Sequence, residues 1–208
     1  MRNTRKQLGA AFLAAAVLMT TAMSAAVSAE ETVQTRASGA AEWKFDFNIE
    51  GSDTADGWTG ITVNKKGGSS VTGYTYTSEQ GYGIVDTGAA VEGRTESVGN
   101  NTEFSIPEEV YTDFAILKNR EFAVDVDNGI YTVQFVIGST NSNTTNVSIE
   151  DGAYTGSLNP GKTQYGILTV DSVEITDGQM NMTFSGDGRV NGIIIGSIAA
   201  PENVKAAA

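Results

Sequence analysis

The 208-residue sequence contains no cysteine and no histidine. Without cysteine the chain has no disulfide and no thiolate metal ligand, so its stability must come from a packed core. Without histidine it lacks the commonest general base, the middle member of Ser-His-Asp and Cys-His arrangements, and every His-ligated zinc site. These two absences exclude most hydrolase chemistry and favour a protein that is not an enzyme and requires no cofactor.

Positive charge is also scarce, because 13 Lys and Arg residues face 25 Asp and Glu residues, giving a net charge of −12. Nucleic acids and anionic lipids need a positive surface, so the sequence predicts neither a nucleic-acid partner nor membrane binding. A strongly anionic polysaccharide would be repelled unless calcium or local Arg and Lys residues mediated the contact. Past the first residues, no apolar stretch is long enough to span a bilayer.

The two ends of the sequence differ in composition from the part between them. Residues 1–29 combine a basic start, an apolar run and small residues before the expected cleavage point, which predicts a bacterial signal peptide and a secreted, extracellular protein. Residues 30–41 are small and polar and predict a disordered lead-in. We expect one domain over residues 42–199, followed by a linker at 200–208 that leads to a downstream domain, with the domain acting as a monomeric module of a larger chain.

Short alternating segments separated by Gly, Asn and Asp fill the predicted domain, and helical periodicity is hard to find there. This pattern is typical of an all-β, two-sheet antiparallel β-sandwich. Residues 43–47 predict the opening strand. Two hairpins are expected, one joining 122–126 to 130–137 and one joining 167–175 to 180–184, because each pair flanks a tight-turn sequence.

Four segments, in order, carry a family resemblance: FDF at 45–47, GWT at 57–59 with GYG at 81–83, FAVDVDNGIYTVQFVIG at 122–138, and FSGDGRVNGIII at 184–195. Together they resemble the galactose-binding-like domains found beside SGNH-type rhamnogalacturonan acetylesterases, β-agarases and related pectin-active enzymes. The likeness covers residues 43–198 and implies a jelly-roll accessory domain. Two positions depart from the family pattern: Asn48 stands where relatives have glycine, and Ser139 where they have an acidic residue.

Aromatic side chains in polar loops are the first candidates for sugar binding, because pyranose rings stack on flat apolar surfaces. Trp58, Tyr74, Tyr76 and Tyr82 meet this description. Tyr74 and Tyr76 would share one face of an extended segment. The alternative is that each ring fills one end of the sandwich core.

Polar candidates lie nearby in the sequence. The Arg94 guanidinium can form two parallel hydrogen bonds to a uronate carboxylate or to vicinal hydroxyls, but it can equally form an ion pair with Glu92 or Glu96. Asn141, Asn143 and Asn146 offer donors and acceptors in the loop 139–146, where asparagine also serves as a turn former.

Asp53 and Asp56 are hard oxygen ligands in a glycine-containing loop, and they predict a structural calcium site unless they form a solvated acidic turn. Glycoside hydrolysis needs two carboxyl groups that face each other across a cleft, and nothing in the sequence places two carboxylates in this arrangement. Glu108 and Glu109 are expected in a loop after Pro107.

These features favour a non-catalytic module that binds a polysaccharide or oligosaccharide and holds a pectin- or agar-active enzyme on its substrate. A structural spacer, or an adhesive cell-surface module that binds a protein partner, is the alternative. An enzyme in its own right is the third hypothesis.

Overall fold

The computed structural model describes residues 42–68, 70–86, 88–96 and 104–196. The predicted signal peptide, lead-in and linker lie outside these ranges. The described residues form one five-residue helix, α1 (Glu108–Thr112), a 3-10 turn (Glu150–Gly152), and thirteen strands. The strands are β1 (Trp43–Ile49), β2 (Thr59–Lys65), β3 (Tyr82–Ile84), β4 (Glu92–Thr95), β5 (Asp113–Ile116), β6 (Arg120–Asp125), β7 (Gly129–Ser139), β8 (Thr145–Ile149), β9 (Tyr154–Leu158), β10 (Gln164–Ile175), β11 (Gln179–Gly186), β12 (Arg189–Val190) and β13 (Gly192–Ile195).

The strands form two sheets. One has the order β10-β7-β13-β1-β2-β4-β5-β12 and the other the order β3-β6-β11-β8-β9. The prediction of an all-β, two-sheet sandwich of jelly-roll type is confirmed. Most neighbouring strands are antiparallel as expected, but β2 runs parallel to both β1 and β4. In the described ranges, no helix is long and apolar enough to cross a membrane.

The core lies between the two sheets and is built from alternate residues of each strand. β1 contributes Phe45, Phe47 and Ile49 from the eight-stranded sheet, and β6 contributes Phe122 and Val124 from the five-stranded sheet. The Phe122 ring lies 5.1 Å from the Phe45 ring and 5.3 Å from the Phe47 ring, both edge-on. Such edge-to-face contacts add to the free energy gained by burying the rings. The alternation seen in the sequence therefore fixes which face of each strand is buried.

The two predicted hairpins are wrong. β6 and β7 follow each other across residues 126–128, yet β6 pairs with β3 and β11 while β7 pairs with β10 and β13. β10 and β11 likewise lie in different sheets. Period-two alternation gives each strand one apolar face, and two such faces can lie side by side in one sheet or opposite each other across a core. Here the tight turns carry the chain from one sheet to the other.

The outer face of the eight-stranded sheet is covered by a second, smaller apolar cluster. It contains the buried residues Val110, Tyr111, Val136 and Tyr165, and the Tyr111 and Tyr165 rings stack with centroids 4.7 Å apart. Val110 and Tyr111 belong to α1, so the expectation that this segment forms a loop is wrong. Helical periodicity cannot be recognised in five residues, which explains why the sequence did not show it.

Candidate functional site

The outward side of the five-stranded sheet carries hydroxyl, amide and carboxylate side chains in register. Glu121 on β6 is aligned with Thr183 on β11, Thr183 with Ser148 on β8, and Ser148 with Thr155 on β9. A parallel row joins Ser185, Asn146 and Ser157. We call this surface the polar face, and it comprises Glu121, Asp125, Asn146, Ser148, Thr155, Ser157, Gln179, Asn181, Thr183 and Ser185.

Hydrogen bonds between neighbouring strands hold the polar face in place. The Ser157 hydroxyl donates to the Asn146 side-chain oxygen at 2.7 Å, and the Asn146 amide donates to the Ser185 hydroxyl at 3.4 Å. The Thr183 hydroxyl donates to the backbone oxygen of Ser148 at 3.4 Å. Because these side chains are oriented by one another on a sheet, little conformational entropy is lost when a ligand binds.

Two shallow cavities adjoin on the polar face. One, of about 420 Å³, lies between β6 and β11 and includes Glu121 and Thr183 in its lining. The other, of about 480 Å³, lies over β8 and β9 and includes Asn146 and Thr155. Ser148 and Ser185 line both cavities. The two cavities therefore adjoin as one depression whose walls combine apolar surface with hydroxyl, amide and carboxylate groups.

Tyr76 lies at the other end of the polar face. Its hydroxyl donates to the Asp125 carboxylate at 2.9 Å and accepts from the Gln179 amide at 3.0 Å. The same amide donates to Asp125 at 2.8 Å. Because the hydroxyl donates to a carboxylate, the pKa of Tyr76 is raised above its ordinary value, so the ring stays neutral. The ring is half-buried and fixed through its hydroxyl by two residues of the sheet.

Gly83 allows the Tyr76 segment to lie against the edge strand β3. Its φ is +142°, and a β-carbon placed there would lie 2.5 Å from the backbone nitrogen of Tyr76. The backbone of Tyr76 also bonds to β3, since its N–H donates to the Ile84 carbonyl at 3.0 Å. Only glycine permits this close approach, which explains the second glycine of the Gly81-Tyr82-Gly83 segment.

The other three predicted rings are placed differently. The Tyr82 ring packs 5.2 Å from Phe45, and the Tyr74 ring packs against the main core, with its hydroxyl accepting from the Asn64 amide at 3.4 Å. Trp58 packs against the smaller apolar cluster. Tyr74 therefore reaches toward β2 while Tyr76 reaches toward β6, and the two rings do not form one surface. Of the four rings, the structure brings Tyr76 alone to the polar face.

Of the three predicted asparagines, Asn146 lies on β8 and belongs to the polar face. The other two, Asn141 and Asn143, lie beyond the end of β7. Asn141 is exposed, whereas Asn143 is buried and its amide donates to the Asn141 carbonyl at 3.5 Å. Neither belongs to the polar face. Their roles in ligand binding stay predictions, and the buried position of Asn143 also suits a turn former.

A carboxylate does meet Ser139, the position where the resemblance implies an acidic residue. It belongs to Glu96, which accepts from the Ser139 hydroxyl at 2.6 Å and from the Thr140 N–H and hydroxyl, both at 2.7 Å. Burial acts to raise the pKa of Glu96, but these hydrogen bonds and the Arg189 charge outweigh it and the pKa is lowered. Glu96 therefore holds the start of the loop that contains Asn141 and Asn143.

The predicted calcium ligands are exposed residues of the β1–β2 loop. Asp53, though not Asp56, lines a cavity of about 320 Å³ together with Glu108, Glu109 and Asp113. In the part of the chain that the structure describes, no three acidic side chains lie close enough together to hold a metal ion. Calcium takes six to eight oxygen ligands. These side chains alone do not complete such a set, and the calcium site stays a prediction.

No protein family and no curated protein is matched by this sequence. Among solved structures, the chain is similar to protein YXIM from Bacillus subtilis (TM-score 0.53, 19% identity, covering 76% of this chain and 40% of that one). It is also similar to Bacteroides uniformis β-glucuronidase 2 (TM-score 0.51, 13% identity, 76% of this chain and 18% of that one). CBM35 from Cellvibrio japonicus Abf62 is more distant, with a TM-score of 0.33 and 19% identity over 58% of this chain and 98% of that one. The chain thus spans less than half of the first two proteins, and the likeness at these identities shows the fold.

Proposed function

We propose that this chain is a non-catalytic carbohydrate-binding module that holds a glycan on its polar face. The observation that supports this most is the alignment of hydroxyl and amide side chains across β6, β11, β8 and β9, with the fixed ring of Tyr76 at the other end of the same face. Sugars offer hydroxyl groups that both donate and accept, and Ser, Thr, Asn and Gln can satisfy both roles. The depression is open and elongated across the strands, which suits a chain rather than a single enclosed sugar.

The carboxylates on this face favour binding without cleavage. Glycosidases use two carboxyl groups that flank the scissile bond. Glu121 lines the depression, whereas Asp125 lies four residues further along β6 and lines neither of its two cavities. Asp125 also accepts hydrogen bonds from both Tyr76 and Gln179 and is therefore engaged in positioning the ring.

The proposed biological role of the module is to hold an attached enzyme at its substrate. A secreted module of this kind raises the effective concentration of an attached enzyme at its polysaccharide. Modest, reversible affinity for the polysaccharide is enough for this role. We propose pectic or agar-type polysaccharides as the substrate of the larger protein. This part of the proposal rests on the sequence resemblance.

Thr183→Leu tests the polar face directly. It removes a hydroxyl and fills the cavity beside Glu121 with an apolar side chain, and Thr183 is exposed, so we expect the fold to be kept. Affinity for the best ligand of a panel of neutral galactan, agar and xylan oligosaccharides should fall about tenfold, which corresponds to the loss of one or two hydrogen bonds. Isothermal calorimetry measures the affinity, and Tyr76→Ala should cause a comparable loss.

Thr169→Leu is the matched control, because Thr169 is an exposed threonine on β10, in the other sheet. It should leave the affinity unchanged. Equal losses in both variants would contradict the polar face as the site. Absence of binding to the whole panel would instead support the spacer or adhesive alternative, and turnover of any polymer by the purified chain would support an enzyme.

A further inference from the structure

Another pocket lies where β2 and β4 end, in the eight-stranded sheet. It has a volume of about 410 Å³ and is lined by Lys65, Lys66, Gly93, Arg94 and Thr95. We call it the basic pocket. Its lining holds three cationic side chains and no carboxylate, in a protein whose net charge is −12. A local excess of positive charge in such a chain needs an explanation.

The backbone explains why the three cations meet. Lys65 on β2 is aligned with Gly93 on β4, and the Lys66 N–H donates to the Gly93 carbonyl at 3.2 Å. Gly93 faces the core so closely that a β-carbon there would lie 2.6 Å from the Phe114 backbone oxygen. Side chains alternate along a strand, so Arg94 is directed to the opposite side from Gly93, and it lines the basic pocket together with the exposed Lys65 and Lys66.

No carboxylate among the described residues forms an ion pair with this group. Within the described residues, the ion pair found within 4 Å joins Lys44 to Glu42, and Arg94 pairs with neither of its predicted partners, Glu92 and Glu96. Glu96 is instead engaged by Ser139 and Thr140. The Arg94 Nε atom is buried and has no hydrogen-bond partner among the residues that the structure describes. A buried donor with no acceptor costs free energy that an anionic ligand can recover.

We propose that the basic pocket binds an oxyanion carried by a glycan, namely the carboxylate of a uronic acid unit or a sulfate ester. This proposal rests on the proposed function, because the oxyanion is carried by a glycan. A planar guanidinium binds such groups through two parallel hydrogen bonds, and two lysines beside it add charge. The overall negative charge repels a continuous polyanion, so the pocket selects an isolated anionic unit on an otherwise neutral chain.

The test compares matched pairs of ligands by calorimetry at low ionic strength, where exposed charges are least screened. One pair is a xylo-oligosaccharide with and without a single glucuronic acid. The other is an agaro-oligosaccharide with and without a single sulfate. We expect the charged member of at least one pair to bind about tenfold more tightly, and the pair that shows this identifies the anion. Arg94→Gln should abolish the difference and leave the affinity for the neutral member unchanged.

Lys162→Gln is the charge-matched control, since Lys162 is exposed and lies outside the basic pocket, and it should keep the wild-type preference. Equal affinity for the charged and neutral members, or a preference that survives Arg94→Gln, would overturn the proposal. Tighter binding of polygalacturonate or of an oligonucleotide than of the singly charged ligands would overturn the selectivity for isolated anions.

A separate readout keeps this proposal distinct from the proposed function. Free glucuronate or inorganic sulfate should raise the unfolding temperature of the wild-type chain more than that of Arg94→Gln, because a ligand that binds only the folded state stabilises it. This result does not require the polar face to bind sugar. Conversely, Thr183→Leu should weaken binding of neutral oligosaccharides and leave the anion-induced stabilisation intact.

Discussion

Replacing Asn191 with leucine is expected to lower the free energy of unfolding by about 3 kcal/mol or more, because three buried backbone groups would lose their partner. The Asn191 side-chain oxygen accepts from the Gly138 N–H at 2.6 Å. Its amide donates to the carbonyl oxygens of Asp113 at 2.6 Å and of Tyr111 at 3.3 Å. Urea denaturation followed by tryptophan fluorescence measures the change.

The size of this effect follows from the position of Asn191. It is fully buried and joins three parts of the chain: β7 through Gly138, the start of β5 through Asp113, and α1 through Tyr111. A leucine of similar volume fills the space but satisfies none of these groups, and each unpaired group costs about 1–3 kcal/mol. Asn141→Leu, at an exposed position, should change stability by less than about 0.5 kcal/mol. Equal effects in the two variants would contradict this role.

The fold class could be predicted from the sequence because alternation is a property of each strand alone. In β11, Met180, Met182 and Phe184 are buried, as the period-two pattern predicts. The partner of a strand depends instead on which sheet its neighbour joins, and the turn sequence at residues 127–129 is the same whether the chain reverses within a sheet or crosses to the other. The two hairpins were therefore beyond what local sequence can decide.

The candidate site was only partly predictable for a similar reason. The outward residues Gln179, Asn181 and Thr183 can be recognised as polar from the sequence, but such residues cover any solvated strand face. What distinguishes the polar face is that Thr183 lies in register with Ser148, which is 35 residues earlier in the sequence, so their alignment is a tertiary contact. Tyr76 was predicted as a candidate. Its attachment to Asp125 and Gln179, across 49 and 103 residues of sequence, could not be.

Asp46 is a buried carboxylate that the burial pattern of β1 places on the outer side of the eight-stranded sheet. It is fully buried, and one of its oxygens accepts from the Ala55 N–H at 3.0 Å while the other has no partner among the described residues. Burial raises its pKa to about 6, and the negative charges of Asp113 and Glu109 add to this, against the opposing effect of the Ala55 hydrogen bond. At neutral pH the folded protein therefore carries a charge that its surroundings disfavour.

Asp46→Asn should remove a pH dependence of stability whose sign follows from this raised pKa. In the folded chain Asp46 keeps its proton up to about pH 6, whereas in the unfolded chain it loses it near its ordinary value of 3.8. The folded state thus binds more protons between these values, and the stabilisation present at low pH is lost as pH rises to about 6.

Measured by urea denaturation, the free energy of unfolding of the wild type relative to Asp46→Asn should fall by about 2–3 kcal/mol between about pH 4 and pH 7. Glu96 acts in the opposite direction and at lower pH, because its pKa is lowered and its contribution is lost only as its carboxylate is protonated. Since both proteins contain Glu96, its effect cancels in the difference. If the difference in the free energy of unfolding between wild type and Asp46→Asn stays constant or rises with pH, the charged form of Asp46 does not destabilise the folded chain.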